Sequence, residues 1–293
     1  MRLTKLILTL LAFAALTVTA TIQTENQGLQ ALEAKSPPAL DGSLKGWDLR
    51  QGIFICGDVE KDRARYALWM HAMYDKDFLY LLARWVDKTP MNNPGQVIAD
   101  YAWLGDCLQF RIRARGGKPS EVISHWNSWR GRDGADICDV TYGGDFKGGN
   151  IKNAKEQGLK QGFAALPDKS GYVQAIAIPW KLITRGGEPL QPSEPLQLAI
   201  EANFTHETIS RLSIKDNFKP GITPNRIFTY TQYPEWGPLT LRREPPAETW
   251  TVRLDDDQRL PVAMVDGLPV VDWSKLAVQQ AAKAAGVKTI KFD

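Results

Sequence analysis

From residue 66 to residue 243, apolar side chains recur at every second position in short runs broken by Gly, Pro and Asp, and this period of two constrains the fold more than any other feature. Residues 66–74 place Tyr66, Leu68, Met70 and Ala72 on one face and Ala67, Trp69, His71 and Met73 on the other. Asp75-Lys76-Asp77 then turns the chain into 78–86, which is apolar on both faces, so this hairpin is expected at the centre of a sheet. In 106–113, Leu108, Phe110 and Ile112 alternate with Gln109, Arg111 and Arg113, as in a half-buried strand. Further strands are expected over 121–129, 137–142, 158–165, 172–178, 196–204, 226–230 and 239–243. No amphipathic helix intervenes. The expected fold is therefore all-β: an antiparallel β-sandwich of jelly-roll or immunoglobulin-like type, with about ten strands.

The ends read differently. Residues 1–20 have the three parts of a secretory signal: Arg2 and Lys5, an apolar run from Leu6 to Val18, and Val18-Thr19-Ala20 as a small-residue cleavage site. A secreted or periplasmic protein is expected, with no membrane span after cleavage. Residues 21–36 read as a lead-in, 37–244 as the sandwich, and 245–293, beyond Pro245-Pro246, as an extension with a helix near 273–285, closed by Gly286. That extension is a candidate surface for a protein partner.

Lys plus Arg falls from 36 to 34 when Arg2 and Lys5 leave, against 33 Asp plus Glu, so the mature chain carries a net charge of +1. With no basic patch or helix, nothing points to nucleic acid. Three cysteines, Cys56, Cys107 and Cys138, would enter an oxidising compartment, and Cys107 with Cys138, in successive expected strands, is the disulfide candidate. The signatures of serine hydrolases, zinc proteases, phosphate loops and dinucleotide folds are missing, and the three histidines, His71, His125 and His206, lie far apart. No catalytic residue is assigned, and the chain is read as a binding protein rather than an enzyme.

Five motifs in order carry a family resemblance. Leu40-Asp41-Gly42 leads to Trp47. Tyr74-Asp75-Lys76-Asp77-Phe78 leads to Arg84-Trp85-Val86-Asp87. Trp103-Leu104-Gly105-Asp106-Cys107 runs on to Gln109-Phe110. Gly171-Tyr172-Val173-Gln174 and Trp236-Gly237-Pro238-Leu239 complete the set. Over about 37–243 the chain resembles the family 9 carbohydrate-binding modules, within the DOMON-like sandwiches. The resemblance implies a saccharide ligand held between aromatic rings, with Trp103 matching one ring and Gln109 standing where the family has an acidic residue. For the second ring, Tyr230 and Tyr233 are the nearest aromatics. Calcium supports loops in these modules, and Asp75, Asp77, Asp87 and Asp106 are the candidate ligands here.

The chemistry of sugar binding points the same way. A pyranose offers an apolar face to a flat ring and a hydroxyl rim to fixed polar groups. Trp103, Gln109, Arg111, Trp126, Trp129 and Arg130 supply both kinds on adjacent expected strands. Core packing is the plainer reading of Trp69 and Trp85, and it competes for Trp126 and Trp129. The alternative is an exported haem b-binding electron-transfer module. Arg84-Trp85-Val86-Asp87-Lys88-Thr89 and His125-Trp126-Asn127-Ser128-Trp129-Arg130 resemble the haem b subunit of ethylbenzene-dehydrogenase-type enzymes, with Met70, His71 and Met73 as possible axial ligands. No cofactor is otherwise required.

Overall fold

The computed structural model describes residues 21–25, 28–97, 102–114, 122–145, 147–185, 196–205, 236–246, 249–288 and 290. The signal segment, the strand expected over 226–230, Tyr230, Tyr233 and His206 lie outside the described residues.

The protein is mostly β, as the alternation requires. Strands β3 (Tyr66–Tyr74), β4 (Phe78–Asp87), β5 (Cys107–Ala114), β6 (Val122–Arg130), β7 (Asp136–Tyr142), β9 (Lys160–Ala165), β10 (Gly171–Pro179), β11 (Leu196–Asn203) and β12 (Gly237–Arg242) fall within a residue or two of the expected spans. Sequence reading missed the short strands β1 (Leu29–Glu33), β2 (Ile53–Ile55) and β8 (Asn150–Ile151).

The topology corrects the antiparallel sandwich. One twelve-stranded sheet runs β8-β7-β6-β5-β11-β12-β1-β3-β4-β10-β9, with β2 alongside β3, and it curls so that one face encloses the main core. The sheet is mixed because β1, in the segment read as a lead-in, lies parallel to both β12 and β3. Leu29-Gln30-Ala31-Leu32-Glu33 has helix-former composition, and its two distant neighbours override that local preference.

The enclosed face gathers Leu68 and Met70 of β3, Leu81 and Trp85 of β4, Phe110 of β5, Trp126 of β6, Val140 of β7, Ile176 of β10 and Ile200 of β11 into one interior. A hydrogen-bond chain crosses it and ties the two halves of the sheet together. Trp85 Nε1 donates to Gln174 (3.2 Å), Gln174 Nε2 to Ser128 (2.7 Å) and Ser128 Oγ to Gln161 (2.6 Å).

The extension docks on its own domain. Strands β13 (Thr251–Arg253), β14 (Arg259–Val265) and β15 (Leu268–Val271) form a three-stranded sheet, followed by a helix, Ser274–Ala284, close to the expected span. Leu276 of that helix joins Val252, Leu254 and Leu260 in a cluster against Phe54, Val59 and Trp69. Trp250 packs on Trp69 at 5.5 Å and donates its indole N–H to the Gly52 carbonyl at 3.0 Å. Gly286, at φ 80°, ends the helix where a side chain would be strained. Among the described residues no helix is long and apolar enough to cross a membrane.

Candidate functional site

The second face of β11-β5-β6-β7, turned away from the enclosed core, carries an array of polar side chains. Register fixes its rows. Glu201, Gln109, Asn127 and Asp139 stand opposite one another across the four strands, and Ala199, Arg111, His125 and Thr141 form the next row. Because side chains alternate, every residue named is on the face opposite Phe110, Trp126 and Val140.

The alternation of β5 predicted a solvated polar face. The structure buries it: Arg111 is 0% exposed and Gln109 1%. Hydrogen bonds and charge pairing make that burial tolerable. Arg111 Nη1 lies 3.7 Å from Glu201 Oε2, and Arg113 Nη1 donates to Gln197 Oε1 at 2.7 Å. Gln109 Nε2 donates to Asn127 Oδ1 and lies 3.4 Å from His125 Nε2. Trp236 closes the far end against Ala199 and Ile123.

Trp103 stands at the near end on a 3-10 turn, Ala102–Leu104, and is partly exposed. Asn203, fully buried at the end of β11, donates its amide N–H groups to the Trp103 carbonyl (2.7 Å) and to Gln109 Oε1 (3.0 Å), which orients the amide. Its Oδ1 is buried and accepts no hydrogen bond among the described residues. The structure thus joins Trp103, Gln109 and Arg111 and adds Asn127, Glu201, Asn203, His125 and Asp139. Of these additions Glu201 and Asn203 were findable from β11, where Gln197, Glu201 and Asn203 alternate with Leu196, Leu198, Ile200 and Ala202.

The loop bearing Trp103 hangs on buried carboxylates. Asp106 accepts from the backbone of Asn92 (2.6 Å) and from both the backbone (2.8 Å) and hydroxyl (3.0 Å) of Thr205. Asp87 accepts from the backbone N–H of Thr89 at 2.8 Å. Burial pushes the Asp87 carboxyl up to about 6. Burial, then the neighbouring Asp87 charge, pushes Asp106 well above the ordinary carboxylate range. Gly105 passes so close to Asn93 that a Cβ there would stand 2.4 Å from its side chain.

Several expectations need correction. Trp126 is fully buried in the enclosed core, stacked on Phe110 with ring centroids 5.6 Å apart, and offers no ring face to a ligand. Trp129 is buried beside Ala102, Cys107 and Ile137, and its indole N–H is spent on the Gly95 carbonyl at 3.0 Å. Arg130 alternates onto the face of Trp126, away from Gln109, and pairs with Asp136 at 2.9 Å. The cysteines are free. Leu108, Ser128 and Cys138 align across β5-β6-β7, so Cys138 faces the enclosed core while Cys107 faces the other side with a strand between them. No disulfide can span that arrangement.

The four aspartates do not converge either. Asp75 sits in the turn before β4, where it accepts from the backbone of Asp77 and Phe78 and from the Tyr80 hydroxyl (2.6 Å), and Asp77 pairs with Lys76. Asp87 ends that strand, roughly 30 Å along at the usual rise per residue. Among the described residues no group of three or more His, Cys, Asp or Glu side chains gathers as a metal site. Of the axial-ligand candidates, Met70 belongs to the enclosed core and Met73 to a cluster on the opposite face. His71 is fully buried, within 2.8 Å of the Gln51 carbonyl, stacked on Trp69, and burial pushes its imidazole down to about 4.

No family model matches the chain, and no curated protein matches it. Solved structures of similar fold include the following two. A family 9 carbohydrate-binding module from Caldicellulosiruptor kristjanssonii, in complex with glucose, is 13% identical, with 75% of this chain and 98% of that chain covered at a TM-score of 0.44. A protein from Bacteroides uniformis ATCC 8492, named for a proposed carbohydrate-binding role, is 11% identical, with 74% and 100% covered at a TM-score of 0.45.

Proposed function

We propose that this protein is an exported, non-catalytic module that binds a saccharide beside Trp103, against the polar face formed by β11, β5 and β6. The observation that carries the reading is the oriented amide of Asn203. Both of its donors are committed to Trp103 and Gln109, which leaves a buried acceptor beside a partly exposed indole. A buried acceptor without a donor costs about 1–3 kcal/mol, and a ligand hydroxyl supplies that donor. The indole takes the C–H face of the ring, while Gln109 and Asn127, buried and bonded in series to Asn203, hold that amide in its orientation. The Arg111–Glu201 pair beneath holds the row in one geometry. Asp106, and Asp87 through one oxygen, are committed to backbone and hydroxyl groups of the surrounding loops, so a binding role accounts for them better than glycoside cleavage.

Calorimetric titration against a panel of mono- and oligosaccharides tests the proposal. Wild type should bind at least one member. Trp103→Ala and Asn203→Ala should each weaken that binding by roughly tenfold or more, the loss of one stacking or hydrogen-bonding contact. Failure of wild type to bind any saccharide, or unchanged binding by Trp103→Ala, would overturn it. N-terminal sequencing of the exported protein should begin at Thr21.

A further inference from the structure

A cavity on the rim of the sheet, away from the polar face, has a different chemistry. It is a hollow of about 340 Å³ lined by Tyr142 of β7, Gly149, Asn150 and Ile151 at the edge strand β8, Gln157, Lys181, Leu182 and Arg185. That volume is at the lower end for small-molecule sites, roughly 300–1,000 Å³. Lys181 and Leu182 belong to a single helical turn, Trp180–Ile183, which closes β10, and Tyr142 is fixed by its hydroxyl donating to the Leu182 carbonyl at 2.8 Å.

Arg185 is the unusual member. Its backbone holds φ 56°, a left-handed conformation that costs a residue other than glycine free energy and tends to persist where a site depends on it. Its guanidinium lies over the Tyr142 ring at 5.0 Å. A Cβ on Gly149, itself at φ 115°, would stand 3.2 Å from the Arg185 Nη2, so the glycine makes room for the guanidinium. The cavity lining contains two cations and no carboxylate, and among the described residues no acidic side chain pairs with Arg185 or Lys181. Elsewhere on this protein exposed cations such as Arg50, Lys61 and Lys283 take an aspartate. Two cations around one hollow, without a carboxylate partner among the described residues and one of them stacked and backbone-constrained, form an acceptor for an oxyanion, which a guanidinium fork binds through paired hydrogen bonds.

We propose that this cavity is a second ligand site, for a small molecule bearing a carboxylate, sulfate or phosphate group, with Arg185 as the fork and Lys181 as the second charge. The amides of Asn150 and Gln157 are placed to meet hydroxyls on the same ligand. The site does not depend on the saccharide reading of the polar face, which lies across the sheet.

Titration with glucuronate, glucose 6-sulfate, inorganic phosphate and neutral glucose, followed by calorimetry and by chemical-shift changes at Tyr142, tests it. At least one oxyanion probe should bind, move the Tyr142 resonances and weaken as salt rises. Which probes bind identifies the anion. Arg185→Gln and Lys181→Gln should each weaken binding by roughly tenfold to a hundredfold, the loss of one charged hydrogen-bonding partner. Both side chains are exposed, so these variants should fold normally, and saccharide binding lost in Trp103→Ala should be retained in both. Absence of binding by every oxyanion probe at millimolar concentration, or unchanged binding by the double variant, would overturn the proposal.

Discussion

The second face of the sheet is polar over β11-β5-β6-β7 and apolar over β3-β4-β10, yet both regions are buried. On the apolar side, Met73, Tyr80, Leu82, Val173 and Ala175 lie under Trp47 and Leu49, while Trp69 lies under the C-terminal unit. Covering there is driven by apolar area. On the polar side Arg111, Gln109 and Glu201 are as inaccessible: hydrogen bonds offset the desolvation of Gln109, and Arg111 faces the opposite charge of Glu201 at 3.7 Å. The contrast teaches that strand alternation sets which residues share a face without setting whether that face meets water. It also separates two tasks: the apolar half anchors the segment of Trp47 and Leu49 and the C-terminal unit, and the polar half holds groups in fixed orientation.

The largest expected effect breaks the apolar side. Trp69→Ala removes a ring packed against Phe54 at 5.1 Å and Trp250 at 5.5 Å, and should cost about 3–5 kcal/mol. Chemical denaturation should show the loss, with limited proteolysis releasing the C-terminal unit and saccharide binding retained. If binding falls in step with stability, the two faces are not separable in the way their chemistry suggests.

The matching experiment on the polar side concerns the Arg111–Glu201 pair. Arg111→Ala alone leaves Glu201 buried without its partner and should cost about 3 kcal/mol. The double variant Arg111→Met/Glu201→Leu should recover most of that stability in denaturation curves while saccharide binding remains impaired. An equally unstable double variant would mean that the polar face is held by shape rather than by charge.

A smaller effect comes from titration, with opposite signs on the two sides. Asp87 has a folded pKa raised to about 6, so the folded state holds a proton that the unfolded chain releases. Its contribution is fully present below pH 4 and is lost as pH rises through about 6, on the order of 2–3 kcal/mol. His71, pushed down to about 4, works the other way: its contribution is present above about pH 6.5 and lost as pH falls toward 4. Stability measured from pH 4 to pH 8 should lose its upward-pH decline when Asp87 and Asp106, both raised by burial, are replaced together by Asn. A decline that survives the substitution would assign it to another group.

Much of the scaffold was legible because it is local. The hairpin of β3 and β4 could be read from Asp75-Lys76-Asp77 between two apolar runs, and its placement deep in the sheet from apolar residues on both faces. The candidate site was legible only in fragments. Trp103, Gln109 and Arg111 stood out as an aromatic and two polar residues in one stretch, whereas Asn203 and Glu201 reach them through β11–β5 pairing across about ninety residues. Trp126 and Arg130 fall on the face opposite Gln109 because a single step along a strand moves a side chain to the other side of the sheet, which closeness in sequence does not convey. Cys107 and Cys138 failed as a pair for the same reason.

The sequence by itself determined the period of two, the turns and the composition of each face, since these depend on neighbours a few residues apart. The tertiary structure decided the rest. It made the sheet mixed rather than antiparallel by inserting Leu29–Glu33 between β12 and β3, docked the C-terminal helix on Phe54 and Trp69, and turned a seemingly solvated strand face into a buried polar array. Those outcomes rest on contacts between segments remote in the chain, whose free energy no local pattern encodes.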